Sequence, residues 1–220
     1  MEDSQGAFAD LTVAEFLDRL ASAEPVPGGG SASALSASVA ASLVAMVARL
    51  SLDRPKYEPY RATNERGLAR AEAARTQLLQ LADDDARAYG RFSAARKMPK
   101  ETPDEQAARD EATSEAARLA SDVPLEVVRS CAVLLEQIDE MAGRSNLNAV
   151  SDLEVAGRLS AAAAHGAGAN VMINLPSVSD QSYAGATRVQ LNHVLREVDR
   201  TLAKVTQHVG RGDLRSPERG

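Results

Sequence analysis

The sequence predicts an all-α fold, and three observations carry that prediction. Apolar residues recur with helical spacing over most of the 220 residues, no stretch alternates with the period of two that a strand requires, and Ser/Thr-x-x-Glu capping boxes precede apolar segments. The expected architecture is a helical bundle with a central small-residue helix following a Gly-rich loop. Aromatic residues make up 3% of the chain and Trp is absent, so the helices must pack closely through Ala, Ser and Gly instead of standing off around large rings.

Thr12-Val13-Ala14-Glu15 is the first capping box, and Val13, Phe16, Leu17 and Leu20 follow on one helical face before Pro25. In Pro25-Val26-Pro27-Gly28-Gly29-Gly30-Ser31 the prolines fix φ, while the glycines are expected to supply positive φ and a close approach. From Ser31 to Ala48 every residue is Ala, Ser, Leu, Val or Met, and the helix is expected to continue to about Leu52. A glycine loop entering such a helix points unpaired N–H groups and a positive dipole end outward, which suits an anion. The same loop also serves as a turn that lets two helices pack tightly. The run is long enough to raise the question of a membrane span, but Ser31, Ser33, Ser36, Ser38 and Ser42 lower its hydrophobicity and favour a buried central helix.

A long helix is expected from Glu58 to Met98, with Leu68, Ala71, Arg75, Leu78, Ala82, Tyr89 and Phe92 as its stripe. Within it lie Asp83, Asp84 and Asp85, of which only some can face solvent at about 100° per residue. Met98-Pro99-Lys100 ends this helix, and Thr102-Pro103-Asp104-Glu105 opens the next with a capping box and proline at the first position. Ser121-Asp122-Val123-Pro124 reads as a boundary before an amphipathic helix carrying Leu125, Val128, Leu135 and Ile138. Residues 143–148 form a turn-rich loop. Ser151-Asp152-Leu153-Glu154 then has capping-box spacing and opens an Ala/Gly-rich helix with Asn170 and Asn174 one turn apart. A last helix runs from about Asp180 to Val209, giving one domain over 1–209 and a polar tail, 210–220, expected to be disordered.

The formal charge of −6 argues against nucleic acid as a partner. Its distribution is uneven, with 12 Lys/Arg against 7 Asp/Glu between Arg49 and Lys100, so a basic middle could attract a polyanionic ligand or simply be a solvated helix face. A lone Cys131 excludes an internal disulfide, and Met1-Glu2-Asp3-Ser4 lacks the start of a signal peptide, so a cytoplasmic protein is expected. His165, His193 and His208 are scattered, and no His/Cys/carboxylate spacing suggests a metal. Carboxylates, amides, Lys100 and the glycine loop remain, a set able to bind and activate a charged organic substrate without a cofactor.

Several segments, taken in order, resemble the cyclodeaminase/cyclohydrolase family, which comprises the C-terminal domain of formiminotransferase-cyclodeaminase and stand-alone methenyltetrahydrofolate cyclohydrolases. They are Pro25 to Ser31, Met46-Val47-Ala48-Arg49-Leu50, Lys56-Tyr57, the acidic cluster ending at Asp85, Pro99-Lys100, Val123-Pro124-Leu125, Asn146 to Asp152, and Gly166 to Leu175. This chain has Ser145 where the family pattern has glycine before Asn-x-Asn. The resemblance implies an all-helical homodimer acting on one-carbon tetrahydrofolates without a metal or other cofactor and without a membrane. It nominates Asp85, Lys100 and Asp152 as the catalytic group. It also nominates Gly28, Gly29, Gly30, Ser31, Arg49, Lys56, Asn146, Asn148, Asn170 and Asn174 for substrate binding. Simpler roles stand beside these: Asp152 as a first-turn carboxylate, Lys100 as a solvated side chain, and the paired asparagines as helix–helix hydrogen bonds.

The implied activity is hydrolysis of methenyltetrahydrofolate to formyltetrahydrofolate. The bridging carbon belongs to a cationic amidinium, which a carboxylate can stabilise while accepting a proton from water. Asp85 is the expected carboxylate, and Lys100 relays a proton or holds the glutamate end. Formiminotetrahydrofolate cyclodeamination is the alternative within the family. A non-catalytic helical folate-binding or regulatory protein is the alternative outside it.

Overall fold

The computed structural model describes residues 7–217, so the first six residues, Met1-Glu2-Asp3-Ser4 among them, and the last three lie outside the described part. Six helices organise it: α1 Val13–Leu20, α2 Gly29–Leu52, α3 Arg61–Arg96, α4 Pro103–Met141, α5 Val150–Asn174 and α6 Gln181–Arg211. The helix α2 packs chiefly on α3 and α5, α4 closes the other side of the same pair, and α6 lies across α4 and α5. No strand occurs among the described residues, and the fold is all-α.

Small residues make the close packing possible. Ala34, Ala37, Ala40, Ala41 and Ala48 of α2 are fully buried, and a Cβ on Gly166 of α5 would come within 3 Å of the Ser33 hydroxyl. Two apolar clusters stack along the bundle. One centres on Leu78, Val128, Leu135 and Leu191, the other on Val44, Val47, Ile138, Met141 and Leu153. Burial pushes the Cys131 thiol up to about 12, as suits an inert core residue. By length and composition α2 could cross a bilayer, and only half of its most apolar window is buried; Val39, Met46 and Leu50 face outward.

Both the Thr12 and Thr102 capping boxes form. Four expectations are corrected. The helix α3 begins at Arg61 and not at Glu58, because Pro55 and Pro59 hold residues 55–60 in a 3₁₀ turn. The Ser151–Glu154 box does not form: the 3₁₀ turn Leu147–Ala149 runs directly into α5, and Glu154 pairs with Arg158 at 2.5 Å instead. Pro124 is not a boundary but lies buried inside the 39-residue α4. The tail is not free from Gly210 onward. Instead α6 reaches Arg211, Gly212 caps it at φ 68°, and Arg215 then binds the Gly143, Asp139 and Ala142 carbonyls at 2.7, 2.7 and 3.0 Å. In α1, Phe16 is buried edge-on against Phe8, whereas Val13 and Leu17 of the expected stripe face outward.

Candidate active site

The three consecutive aspartates of α3 resolve into three roles. Asp83 accepts the Phe8 N–H at 2.8 Å, Asp84 pairs with Arg87, and Asp85 turns inward to accept the Ser31 hydroxyl at 3.0 Å. That hydroxyl also lies 2.9 Å from the Ala82 carbonyl, so Ser31 of α2 is held against one turn of α3. Burial pushes the Asp85 carboxyl above the ordinary aspartate value, and hydrogen bonds from the Ser31 hydroxyl and amide offset part of that rise.

The glycines serve this contact sterically. Gly28 caps α2 in an extended conformation, and no residue of the loop takes positive φ, contrary to expectation. A Cβ on Gly30 would come within 3 Å of the Asp85 carboxylate, and one on Gly29 would lie 3.3 Å from Asn170 Nδ2. The bare backbone is what lets a carboxylate and an amide lie over the first turn of the helix.

Gly28, Gly29, Gly30, Asp85, Asn170 and Asn174 edge a cleft of about 580 Å³, continued along α3 by Tyr89, Phe92, Ser93, Arg96 and Lys97. A neighbouring lobe of about 460 Å³ shares Pro25, Val26, Tyr89, Ser93 and Lys97 with it and adds Arg87. The guanidinium of Arg96 lies 5.8 Å from the Phe92 ring, and among the described residues no carboxylate pairs with Arg96 or Lys97. The two asparagines direct their amide hydrogens to the backbone. Asn170 Nδ2 donates to the Gly166 carbonyl at 2.9 Å, and Asn174 Nδ2 to the Ala120 carbonyl at 2.7 Å.

The remaining nominated residues do not join this group. Lys100 is exposed in the link between α3 and α4 and does not line the cleft; Lys97, one turn earlier, does. Arg49, Lys56, Asn146, Asn148 and Asp152 lie at the other end of α2, about 30 Å along the helix from Gly30. There Arg49 pairs with Glu72, and Lys56 Nζ sits 5.6 Å from the Tyr57 ring centre. Asn146 is buried. Its amide N–H donates to Ser51 Oγ at 2.8 Å, Nδ2 to the Leu50 carbonyl at 3.3 Å, and Oδ1 accepts the Asn148 N–H at 3.1 Å. Asp152 is half-buried in the first turn of α5, and the Asn148 side chain is exposed. Ser145 fits without glycine because its hydroxyl donates to the Met141 carbonyl at 3.0 Å, and Gly143 takes the left-handed φ of 72°. Among the described residues no three His, Cys, Asp or Glu side chains gather as a metal would need.

Fold and cleft together define an all-α bundle protein whose cleft of about 580 Å³ is lined by a single carboxylate, Asp85, among the described residues. The model of the family described as formiminotransferase-cyclodeaminase matches residues 12–193, and the chain belongs to that family. It is 36% identical over 186 residues to a methenyltetrahydrofolate cyclohydrolase of Methylorubrum extorquens, covering 84% of this chain and 89% of that one. It is 33% identical over 196 residues to a formimidoyltransferase-cyclodeaminase of Rattus norvegicus, covering 89% of this chain but 36% of that longer protein. The crystal structure of a formiminotetrahydrofolate cyclodeaminase from Thermotoga maritima superposes with a TM-score of 0.84 at 27% identity, covering 92% of this chain and 98% of that one.

Proposed function

We propose that this chain hydrolyses methenyltetrahydrofolate to formyltetrahydrofolate in the cleft at the N-terminal end of α2. The observation that carries the reading is Asp85, a carboxylate made more basic by burial and left open to a cleft where the glycine backbone gives access. The amidinium carbon of the substrate is placed beside Asp85, whose charge stabilises the cation. Water adds to that carbon while its proton passes to the carboxylate. The carbon–N5 bond then breaks, N5 receives the proton, and loss of the hydroxyl proton leaves the formyl group on N10. A carboxyl with a raised pKa suits both halves, because a pKa closer to the working pH makes it a better base than an ordinary aspartate while leaving it acidic enough to return the proton. Arg96 and Lys97, free of carboxylate partners, take the glutamate end, the role first expected of Lys100. The scheme uses side chains and water alone, without a metal or organic cofactor.

Cyclodeamination of formiminotetrahydrofolate is the second reading, supported by the names of the rat and Thermotoga relatives. The same carboxylate would then serve ring closure and departure of ammonia. The higher identity to the Methylorubrum cyclohydrolase, 36% against 33% and 27% for the rat and Thermotoga relatives, favours hydrolysis. Turnover assays with the two substrates side by side test both, and parent-level turnover of formiminotetrahydrofolate alone would reverse the assignment.

The reading includes a cytoplasmic homodimer. The outward side chains of Val39, Met46 and Leu50 form an apolar stripe on α2 beside the exposed Arg49, and a two-fold axis placed across this stripe, perpendicular to the helix, runs the two α2 helices antiparallel. That pairing sets the Arg49–Asp152 end of one copy beside the glycine end of the other, which gives Asp152 a place near the cleft.

A further inference from the structure

Pro124 occupies the middle of α4, where a proline is unfavourable because it removes one amide hydrogen and crowds the preceding turn. The carbonyl released by the missing N–H is that of Ala120, four residues earlier. Ala120 lines the cleft, and its carbonyl accepts Asn174 Nδ2 at 2.7 Å from α5, 54 residues away in sequence. We infer that Pro124 sets the hydrogen-bond polarity of the cleft wall. By leaving the Ala120 carbonyl to Asn174, it fixes the amide so that Oδ1 faces the ligand as an acceptor. The identity of that ligand rests on the function proposed above.

Asn170, one turn before Asn174, also turns its Nδ2 to a backbone carbonyl, that of Gly166 in its own helix, where no proline is involved. Among the described residues no protein donor hydrogen-bonds to either side-chain oxygen. With the Asp85 carboxylate opposite, the side chains at this end of the cleft offer acceptors to whatever enters it. Such side chains read a ligand edge rich in N–H donors. The amino-pyrimidinone half of a tetrahydropterin has that edge, with its exocyclic 2-amino group and ring N–H groups. Its carboxylate-bearing end is correspondingly directed along α3 to Arg96 and Lys97. Pro124 is a positioning residue in this scheme and touches no ligand.

The test compares the dissociation constants of tetrahydrofolate and its 2-desamino analogue for the parent, Pro124→Ala, Asn174→Leu and the double variant. The parent is expected to prefer tetrahydrofolate by about tenfold, the worth of one well-made hydrogen bond. Each single variant should lose most of that preference, and the double variant should lose no more than either single one, since both act on the same contact. The thermal midpoint of Pro124→Ala should hold or rise, which separates loss of the contact from loss of the fold. A Pro124→Ala variant that keeps the parent's preference, or losses that multiply in the double variant, would overturn the inference. A parent that binds both ligands equally sinks the inference alone, and a parent that binds neither sinks the proposed function with it.

Discussion

At its N-terminal end α2 meets Asp85 and Asn170, which with Asn174 line a cleft of about 580 Å³; Asp85 spends part of its accepting capacity on Ser31, and the two asparagine oxygens take no protein donor among the described residues. At its C-terminal end Ser51, Tyr57 and Asn146 bind one another and the backbone: Tyr57 Oη accepts the Leu147 N–H at 3.1 Å, and Ser51 Oγ donates to the Val47 carbonyl at 2.7 Å. Both ends carry dense motifs, yet one leaves its hydrogen-bonding capacity open and the other consumes it in holding a loop. The contrast teaches where to test for chemistry first: at the end whose polar atoms are not all spent on protein partners, not at the end where polar residues are merely numerous.

The largest expected effect that would break or sharpen this contrast is at Asp85. Asp85→Asn should lower kcat by about 10²–10⁴-fold while affecting substrate affinity less. Because burial raises its folded-state pKa, the folded chain holds the Asp85 proton more tightly than the unfolded one. This contribution to stability is complete below the unfolded pKa and is lost as pH rises through the folded one. The variant should therefore match or exceed the parent's thermal midpoint at neutral pH, with the difference closing in acid. Parent-level turnover by Asp85→Asn would remove the cleft end from the chemistry.

A smaller effect tests whether the two ends meet across a dimer. If Asp152 of one copy serves the cleft of the other, Asp85→Asn and Asp152→Asn are each impaired alone. After unfolding and refolding together, a mixed dimer keeps one site free of both changes, so about a quarter of parent activity should return. No recovery, or an active Asp152→Asn, would leave the far end a structural one. The smallest effect on activity is expected at Asn146. Asn146→Ala leaves the Asn148 N–H and the Leu50 carbonyl without their side-chain partner, which costs about 1–3 kcal/mol in chemical denaturation. Turnover per folded molecule should change far less than for Asp85→Asn.

The helical fold and both formed capping boxes were legible in the sequence, because each rests on local spacing; the glycine loop and Asp85 stood out as separate motifs, and only the structure lays one against the other. Tyr89, Ser93 and Lys97 were not legible as cleft residues. A helix stripe that faces a cleft has the same period as one that faces a core, and Leu78, Ala82 and Tyr89 of α3 belong to one such stripe. Lys100 stood out through its neighbouring proline, whereas Lys97 had no local mark. Of the two properties read from the glycines, close approach is the one the structure uses: they clear space for a carboxylate, and none of the loop takes positive φ. Pro124 misled because its compensation comes from Asn174, which no local pattern connects to it.

The Arg215 clip ties the chain after α6 to the end of α4 and the loop at Gly143, and Tyr60 Oη fastens the same residue by donating to its carbonyl at 2.8 Å. These segments, remote in sequence, therefore open together as one cooperative unit. Fluctuations that release the C-terminal strap reach the Asn146 loop and the start of α3 first, while the glycine edge of α2 keeps its shape through its own contacts with Asp85 and Asn170.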